Sequence, residues 1–469
     1  MDRRPLLRTL APAVALIVLG GTACTTADGA TGVQGSPGAS GLRDPYFPRL
    51  GNGGYDVRHY ALTLDYDPKT SKLTGTAAIT ARATQDLSAF NLDLHGLTVH
   101  GATVDGSPAA VNRAGNELTL RPHDELDKGS TFRAVVRYSG SPRVITDADG
   151  SEEGWLRTAD GAIALGEPTG SMAWFPGNHH PSDKATYDIT VTVPKKLTAV
   201  SNGELRSRRP TADGRRTTFA WHSAQPMASY VATLGIGEYK TKSYRPEGGG
   251  VPVFTAADTT VAARSEKLLA RIPEIMDWAE KRFGPYPFSS TGAIVERSGD
   301  AGYALETQSR AVFPEASFDT VTLVHEIAHQ WYGDSVTPRS WRDMWLNEGF
   351  ASYAEWIYFE DFEGVPAQDS FKENFDTSSN WAFPPAEPPG AEDISQDPVY
   401  GRGAMVLHKI RQAVGDDTFF GILRGWAQTH RHGNASTDDF TAYVEKESGK
   451  DLTTLWDTWL YGEAKPAQP

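Results

Sequence analysis

The sequence predicts an α+β chain of more than one domain, with a β-rich, antiparallel N-terminal domain followed by a mostly α-helical one. Three observations carry this. At 469 residues the chain is long enough for two or three cores. Between about Tyr46 and Glu247, short runs such as YDVRHYALTLDYDP, LTGTAAITARAT and KATYDITVTVPKK alternate apolar and polar residues and are broken by turns. After Val251 the apolar spacing becomes helical, as in TTVAARSEKLLARIPEIMDWAEKRFG, a run that stops at Gly284 and Pro285.

Taken in order, residues 1–24 form an export signal. Arg3, Arg4 and Arg8 precede an apolar run, Ala11 to Leu19, that is too short to span a bilayer. The arginine pair fits a twin-arginine route as well as general export. The segment ends in Gly-Thr-Ala-Cys, which resembles a bacterial lipobox with Gly21 where leucine is usual. Cys24, the only cysteine, is then either the lipidated first residue of a cell-surface lipoprotein or part of a secretion signal, and no internal disulfide can form. Residues 25–45, rich in Gly, Ser and Thr, read as a flexible tether. The N-terminal β domain is assigned to 46–247 and the helical domain to 248–469. A net charge of −14, with no basic stripe, argues against nucleic acid as a partner.

The chemistry sits between Thr320 and Phe359, TVTLVHEIAHQWYGDSVTPRSWRDMWLNEGFASYAEWIYF. On a helix capped by Asp319, His325 and His329 are four residues apart and share a face with Glu326 beside them, which is zinc-ligand spacing. Nineteen residues after His329 comes Glu348, on a second helix predicted to begin near Leu346. Glu355, seven residues further, returns to the same face and can orient a ligating histidine. Two histidines, a glutamate and water make a catalytic zinc set with an open position, one Zn²⁺ that acidifies water and Glu326 as general base. Two other features draw attention. His179 and His180 lie among Pro176, Gly177 and Pro181 and read as loop hydrogen-bonding groups, not a second metal site. Residues 361–397, with FPPAEPPG, read as a loop excursion over the site.

HEIAHQW followed by NEGFA resembles the zinc aminopeptidases of the aminopeptidase N family, a group of gluzincin metallopeptidases, and the likeness spans roughly residues 46–465. It is similar to short, two-domain bacterial forms; larger members continue into a helical C-terminal domain, for which this sequence has no residues. The resemblance implies a thermolysin-like catalytic domain and hydrolysis of the N-terminal residue from peptides with a free N-terminus. AGYALETQSR stands where the family carries GxMEN, which implies that Glu306 binds the substrate amine; here Tyr303 replaces the Gly, Leu305 the Met and Thr307 the Asn. In GEPTG, Glu167 matches a loop residue that also reaches the amine, its alternative being a solvent-exposed carboxylate. VYGRGAMVL resembles VYxKGAxVL, which implies Tyr400 as the hydrogen-bond donor to the oxyanion, with Arg402 in place of Lys. Two rivals remain: a thermolysin-like endopeptidase sharing the zinc pattern, and a non-catalytic peptide-binding surface lipoprotein. Nothing in the pattern specifies a preferred first residue or an oligomeric state.

Overall fold

The computed structural model describes residues 35–247 and 249–467. The signal, the lipobox with Cys24 and the first part of the tether lie outside the described residues.

An 11-stranded sheet forms the bulk of the N-terminal domain. It is mostly antiparallel; the central exception is strand Tyr55–Asp67, which runs parallel to Lys184–Pro194. Alternation decides which face is inside. In Lys184–Pro194, Ala185, Tyr187, Ile189, Val191 and Val193 are buried, one residue in two. In Tyr55–Asp67 the buried set begins Tyr55, Val57 and then changes parity to Tyr60, Leu62, Leu64, Tyr66. A bulge between Val57 and His59 absorbs the extra residue and keeps both sets on the core side. A five-stranded antiparallel sheet, which includes the hairpin Val144–Thr146 and Glu152–Arg157, packs beside it and carries the loop bearing Glu167.

The second domain begins earlier than the sequence suggests. Strand Tyr239–Tyr244 pairs with Val253–Asp258, which continues in parallel to Thr291–Glu296 and then Ala311–Pro314. The boundary therefore falls near Glu238, not at 247/248, because ladder pairing assigns Tyr239–Tyr244 to the catalytic sheet. Helices follow: α1 (Ala262–Leu269), α2 (Ile272–Phe283), α3 (Thr320–Ala328), α4 (Trp345–Phe362), α5 (Ala367–Asp376), α6 (Gly403–Val414), α7 (Asp416–Thr429) and α8 (Thr437–Ser448). The run expected as one helix before Gly284 is two, parted at Ala270 and Arg271, with Pro273 opening α2 in the first turn, where its missing N–H costs nothing. The excursion at 361–397 is not all loop: α5 lies within it and buries Phe371 and Phe375, one turn apart. No helix among the described residues is long and apolar enough to cross a membrane.

Residues 35–45, expected as part of the tether, are instead docked. Ser36 pairs with Leu87 at the edge of the large sheet. The buried Asp44 carboxylate accepts from Ser340 Oγ at 2.7 Å, the Trp341 N–H at 3.0 Å and the Tyr46 N–H at 3.0 Å, with His180 Nε2 at 3.4 Å. The domains are pinned elsewhere by two cations. Lys184 Nζ donates to the carbonyls of Asp334 and Ser335 at 2.8 and 2.9 Å. Arg310, 1 % exposed, donates to the carbonyls of Ser201, Gly203 and Phe254 and lies over the Trp221 ring. A buried guanidinium needs all its donors used, and these carbonyls supply acceptors from both domains.

Candidate active site

Asp319 caps α3, its side chain accepting from the Thr322 N–H at 2.9 Å. The helix ends at Ala328, and His329 occupies the C-cap with helical backbone angles, so the one-turn spacing of the two histidines survives. Their ring centroids are 4.6 Å apart. From α4, Glu348 Oε2 lies 3.2 Å from His325 Nε2 and 3.3 Å from His329 Nε2. The outer ring nitrogens are tied down: His325 Nδ1 to Glu355 Oε1 at 2.6 Å, and His329 Nδ1 to the Tyr332 carbonyl at 3.2 Å. With Nδ1–H donating outward on both rings, each Nε2 turns a lone pair toward the Glu348 carboxylate. Three acceptor atoms converging within 4.8 Å need a cation among them. His325, His329 and Glu348 thus fit a zinc ion in donor type, number and convergence.

Glu326 is not part of that trio. It is 5 % exposed, its Oε2 has no hydrogen-bond donor, and burial raises its carboxyl to about 8 against the pull of the neighbouring imidazoles. A dication beside it would lower that value and leave a carboxylate able to accept a proton.

Two more carboxyls reach the same cavity, whose volume is about 410 Å³. Glu306 follows Leu305, which bridges to Val312 at the edge of the catalytic sheet. Its Oε1 accepts from Asn347 Nδ2 at 2.9 Å, and its carbonyl accepts from Gln330 Nε2 at 3.1 Å. Glu167 comes from the N-terminal domain. Its loop is held by Glu153, fully buried, whose carboxylate accepts from the Thr169 hydroxyl and from the Thr169 and Gly170 N–H groups. Burial, then the Glu306 charge, push the Glu167 carboxyl well above its usual range. Oxygen atoms of Glu167, Glu306 and Glu348 lie within 4.8 Å of one another, and Glu167 Oε2 has no donor. Carboxyls so crowded call for positive charge between them.

Tyr400 stands on a five-residue π-helical turn, Pro398–Arg402, that leads into α6. Its ring stacks on His325 with centroids 6.2 Å apart, and it lines the cavity. Arg402 is a structural tie: its guanidinium donates to the carbonyls of Trp459, Phe383 and Gly462. Gly349 on α4 and Gly403 on α6 let the helix backbones meet, since a Cβ at Gly349 would fall 2.9 Å from the Gly403 carbonyl carbon.

All eight residues named from the sequence therefore lie around one cavity. His179 and His180 lie outside it, bonded to the Phe175 carbonyl and to Ser182 and Asp44. Sequence reasoning missed Asn347, which touches both Glu306 and, at 3.4 Å, Glu348. It also missed Gln330, which joins the Glu306 segment to α3. Both sit inside the quoted motifs, HQW and NEG, and that adjacency was the available signal.

An HExxH helix, a glutamate from the next helix and a β-rich domain reaching into the cleft define the gluzincin architecture. The chain belongs to peptidase family M1: residues 57–231 match the Peptidase M1 N-terminal domain and residues 305–459 the Peptidase family M1 domain. It is 28 % identical over 394 residues to Aminopeptidase N of Streptomyces lividans, covering 74 % of this chain and 45 % of that protein. It is 25 % identical over 445 residues to Tricorn protease-interacting factor F2 of Thermoplasma acidophilum, covering 87 % and 54 %. The chain thus spans about half the length of these curated relatives. Among solved structures, an M1 zinc metallopeptidase from Deinococcus radiodurans superposes with a TM-score of 0.85 at 29 % identity, covering 92 % of this chain and 98 % of that one. A point mutant of that enzyme has been solved bound to a Tyr-Ser-Ala substrate.

Proposed function

We propose that the protein is a zinc-dependent aminopeptidase that removes the first residue from peptides with a free N-terminus. The observation that carries this reading is the pair of carboxyls, Glu306 and Glu167, set beside the His-His-Glu trio inside one cavity. Zinc held by His325, His329 and Glu348 would supply Lewis acidity toward water and the substrate carbonyl. Glu306 and Glu167 bind the α-ammonium and so place the first peptide bond at the trio, which makes the cut exopeptidic. Glu326 takes the proton of the attacking water and passes it to the leaving amine. The Tyr400 hydroxyl donates to the carbonyl oxygen as negative charge develops there. Glu355 fixes the His325 ring, and Asn347 fixes Glu306.

Initial rates on aminoacyl reporters and their N-acetylated counterparts, with a chelator control, test the reading. Only free-amine reporters should turn over, and chelation should stop them. Cleavage of acetylated peptides would favour an endopeptidase, and no turnover a binding protein. Export and anchoring through Cys24 belong to the same proposal, supported by the arginines, apolar run and Gly-Thr-Ala-Cys of residues 1–24. Cys24→Ser should move the protein from the membrane fraction to the medium; unchanged fractionation would remove the lipid anchor from the reading.

A further inference from the structure

Among the described residues, the cavity walls carry seven carboxyl side chains and no lysine or arginine. Five belong to the metal trio, its partner glutamate, the base and the amine anchors. Asp147 and Asp149 are left over. They sit at the tip of the hairpin formed by Val144–Thr146 and Glu152–Arg157. Asp149 accepts from the Ser151 N–H at 2.8 Å, which shapes the tip. Asp147 is half-buried, with Asp149 and the buried Glu153 as like-charged neighbours and no ion pair among the described residues. Glu326 and Glu167 line the same cavity, and each has one buried carboxylate oxygen, Oε2, without a donor.

Position separates the hairpin from a general acidic surface. The strand leading from the tip carries Glu153, which holds Thr169 and Gly170 and therefore the Glu167 loop. Tyr303 also lines the cavity, and its hydroxyl donates to the Glu167 carbonyl at 3.2 Å. Hairpin tip, Tyr303 and Glu167 thus form one wall. A substrate's first side chain branches from the carbon that bears its ammonium, so it lies along the wall that holds the amine.

We propose that this wall selects a cationic first residue, lysine or arginine, with Asp147 facing its charge, Asp149 adding field and the Tyr303 ring covering its aliphatic stem. The inference rests on the aminopeptidase reading and adds the substrate class. Even with a dication bound, the cleft keeps excess negative charge, and a partly desolvated carboxylate discriminates by charge more strongly than one in open solvent. Tyr303 suits a cation, whose stem packs on an aromatic face.

The test compares kcat/KM for Lys, Arg, norleucine and Glu reporters, norleucine matching lysine's chain without its charge. Lys and Arg should exceed norleucine by about tenfold, with the gap narrowing at high salt. The gap should shrink toward one in Asp147→Asn and less in Asp149→Asn, two changes at a hairpin tip that leave the fold intact. With peptides, Lys-Leu-Ala should be favoured over Leu-Lys-Ala. Equal rates for Lys and norleucine, a gap that survives both substitutions, or an equal gain from lysine at the second position would overturn the proposal. Failure to cleave any free-amine reporter would instead overturn the aminopeptidase reading beneath it.

Discussion

Replacing Gly349 by alanine probes the crossing of α4 and α6, on which the placement of Tyr400 against His325 depends. A Cβ at Gly349 would stand 2.9 Å from the Gly403 carbonyl carbon and 3.0 Å from its Cα. Carbon atoms rest at about 3.5–4.0 Å, so the helices must part by roughly 0.5–1 Å. Overpacking of this kind costs about 1–3 kcal/mol, while alanine gains about 1 kcal/mol over glycine in a helix. Gly421 on α7 cancels the second quantity: it is exposed, helical, and a Cβ there meets nothing within 4 Å. The stability difference between Gly349→Ala and Gly421→Ala therefore isolates the overpacking, about 1–3 kcal/mol. For a domain of 150–250 residues this is roughly 2–4 °C in Tm per kcal/mol. Because Glu348 precedes Gly349 and Tyr400 sits on the turn before Gly403, the displacement should also reach the chemistry. A shift of about 1 Å can cost about a hundredfold in rate. Thermal unfolding and reporter kinetics of both variants, with metal content measured, read the two effects. If Gly349→Ala melted with Gly421→Ala and kept full kcat, the close crossing and its role in placing Tyr400 would both be wrong.

Three further outcomes are expected. Glu326→Gln should lower kcat by about a thousandfold while zinc content is retained, whereas His325→Ala should lose the metal; zinc loss in Glu326→Gln would contradict the assignment of Glu326 as base and not ligand. Tyr400→Phe should lower kcat about a hundredfold with little change in KM, and a rise in KM alone would make Tyr400 a binding residue. Burial opposes ionisation of Asp44, but its hydrogen bonds to His180, Ser340, Tyr46 and Trp341 win and hold it down at about 2. A depressed carboxyl stabilises the fold above its unfolded value near 3.8 and loses that contribution as pH falls through about 2. Asp44→Asn should thus cost about 2 kcal/mol at pH 7 and nearly nothing at pH 2, and an equal loss at both would show that packing, not charge, docks this segment.

Much of the site is legible in the chain because its logic is local. His325 and His329 share a face by helical period, Asp319 precedes α3 as a cap, and Glu348 and Glu355 recur two turns apart. The β domain announces itself through alternation in Tyr55–Asp67 and Lys184–Pro194, whose inner faces are set by a period of two. Composition misleads where docking partners are distant. Residues 35–45 look like linker, yet Asp44 bonds Ser340, 296 positions away. The Pro- and Gly-rich signal of 361–397 conceals α5, which owes its place to burial of Phe371 and Phe375.

Periodicity and short motifs thus specify the metal trio, its neighbouring base and the order of β-rich and helical domains. The bond from Asn347 to Glu306, the Gly349–Gly403 crossing and the presence of Asp147 in the cleft belong to the tertiary structure alone. The physical reason is range: dihedral preferences and side-chain period act over a few residues. Convergence of carboxyls from two domains depends instead on how sheets and helices pack, which is set by the sum of many apolar contacts and buried ties such as Arg310.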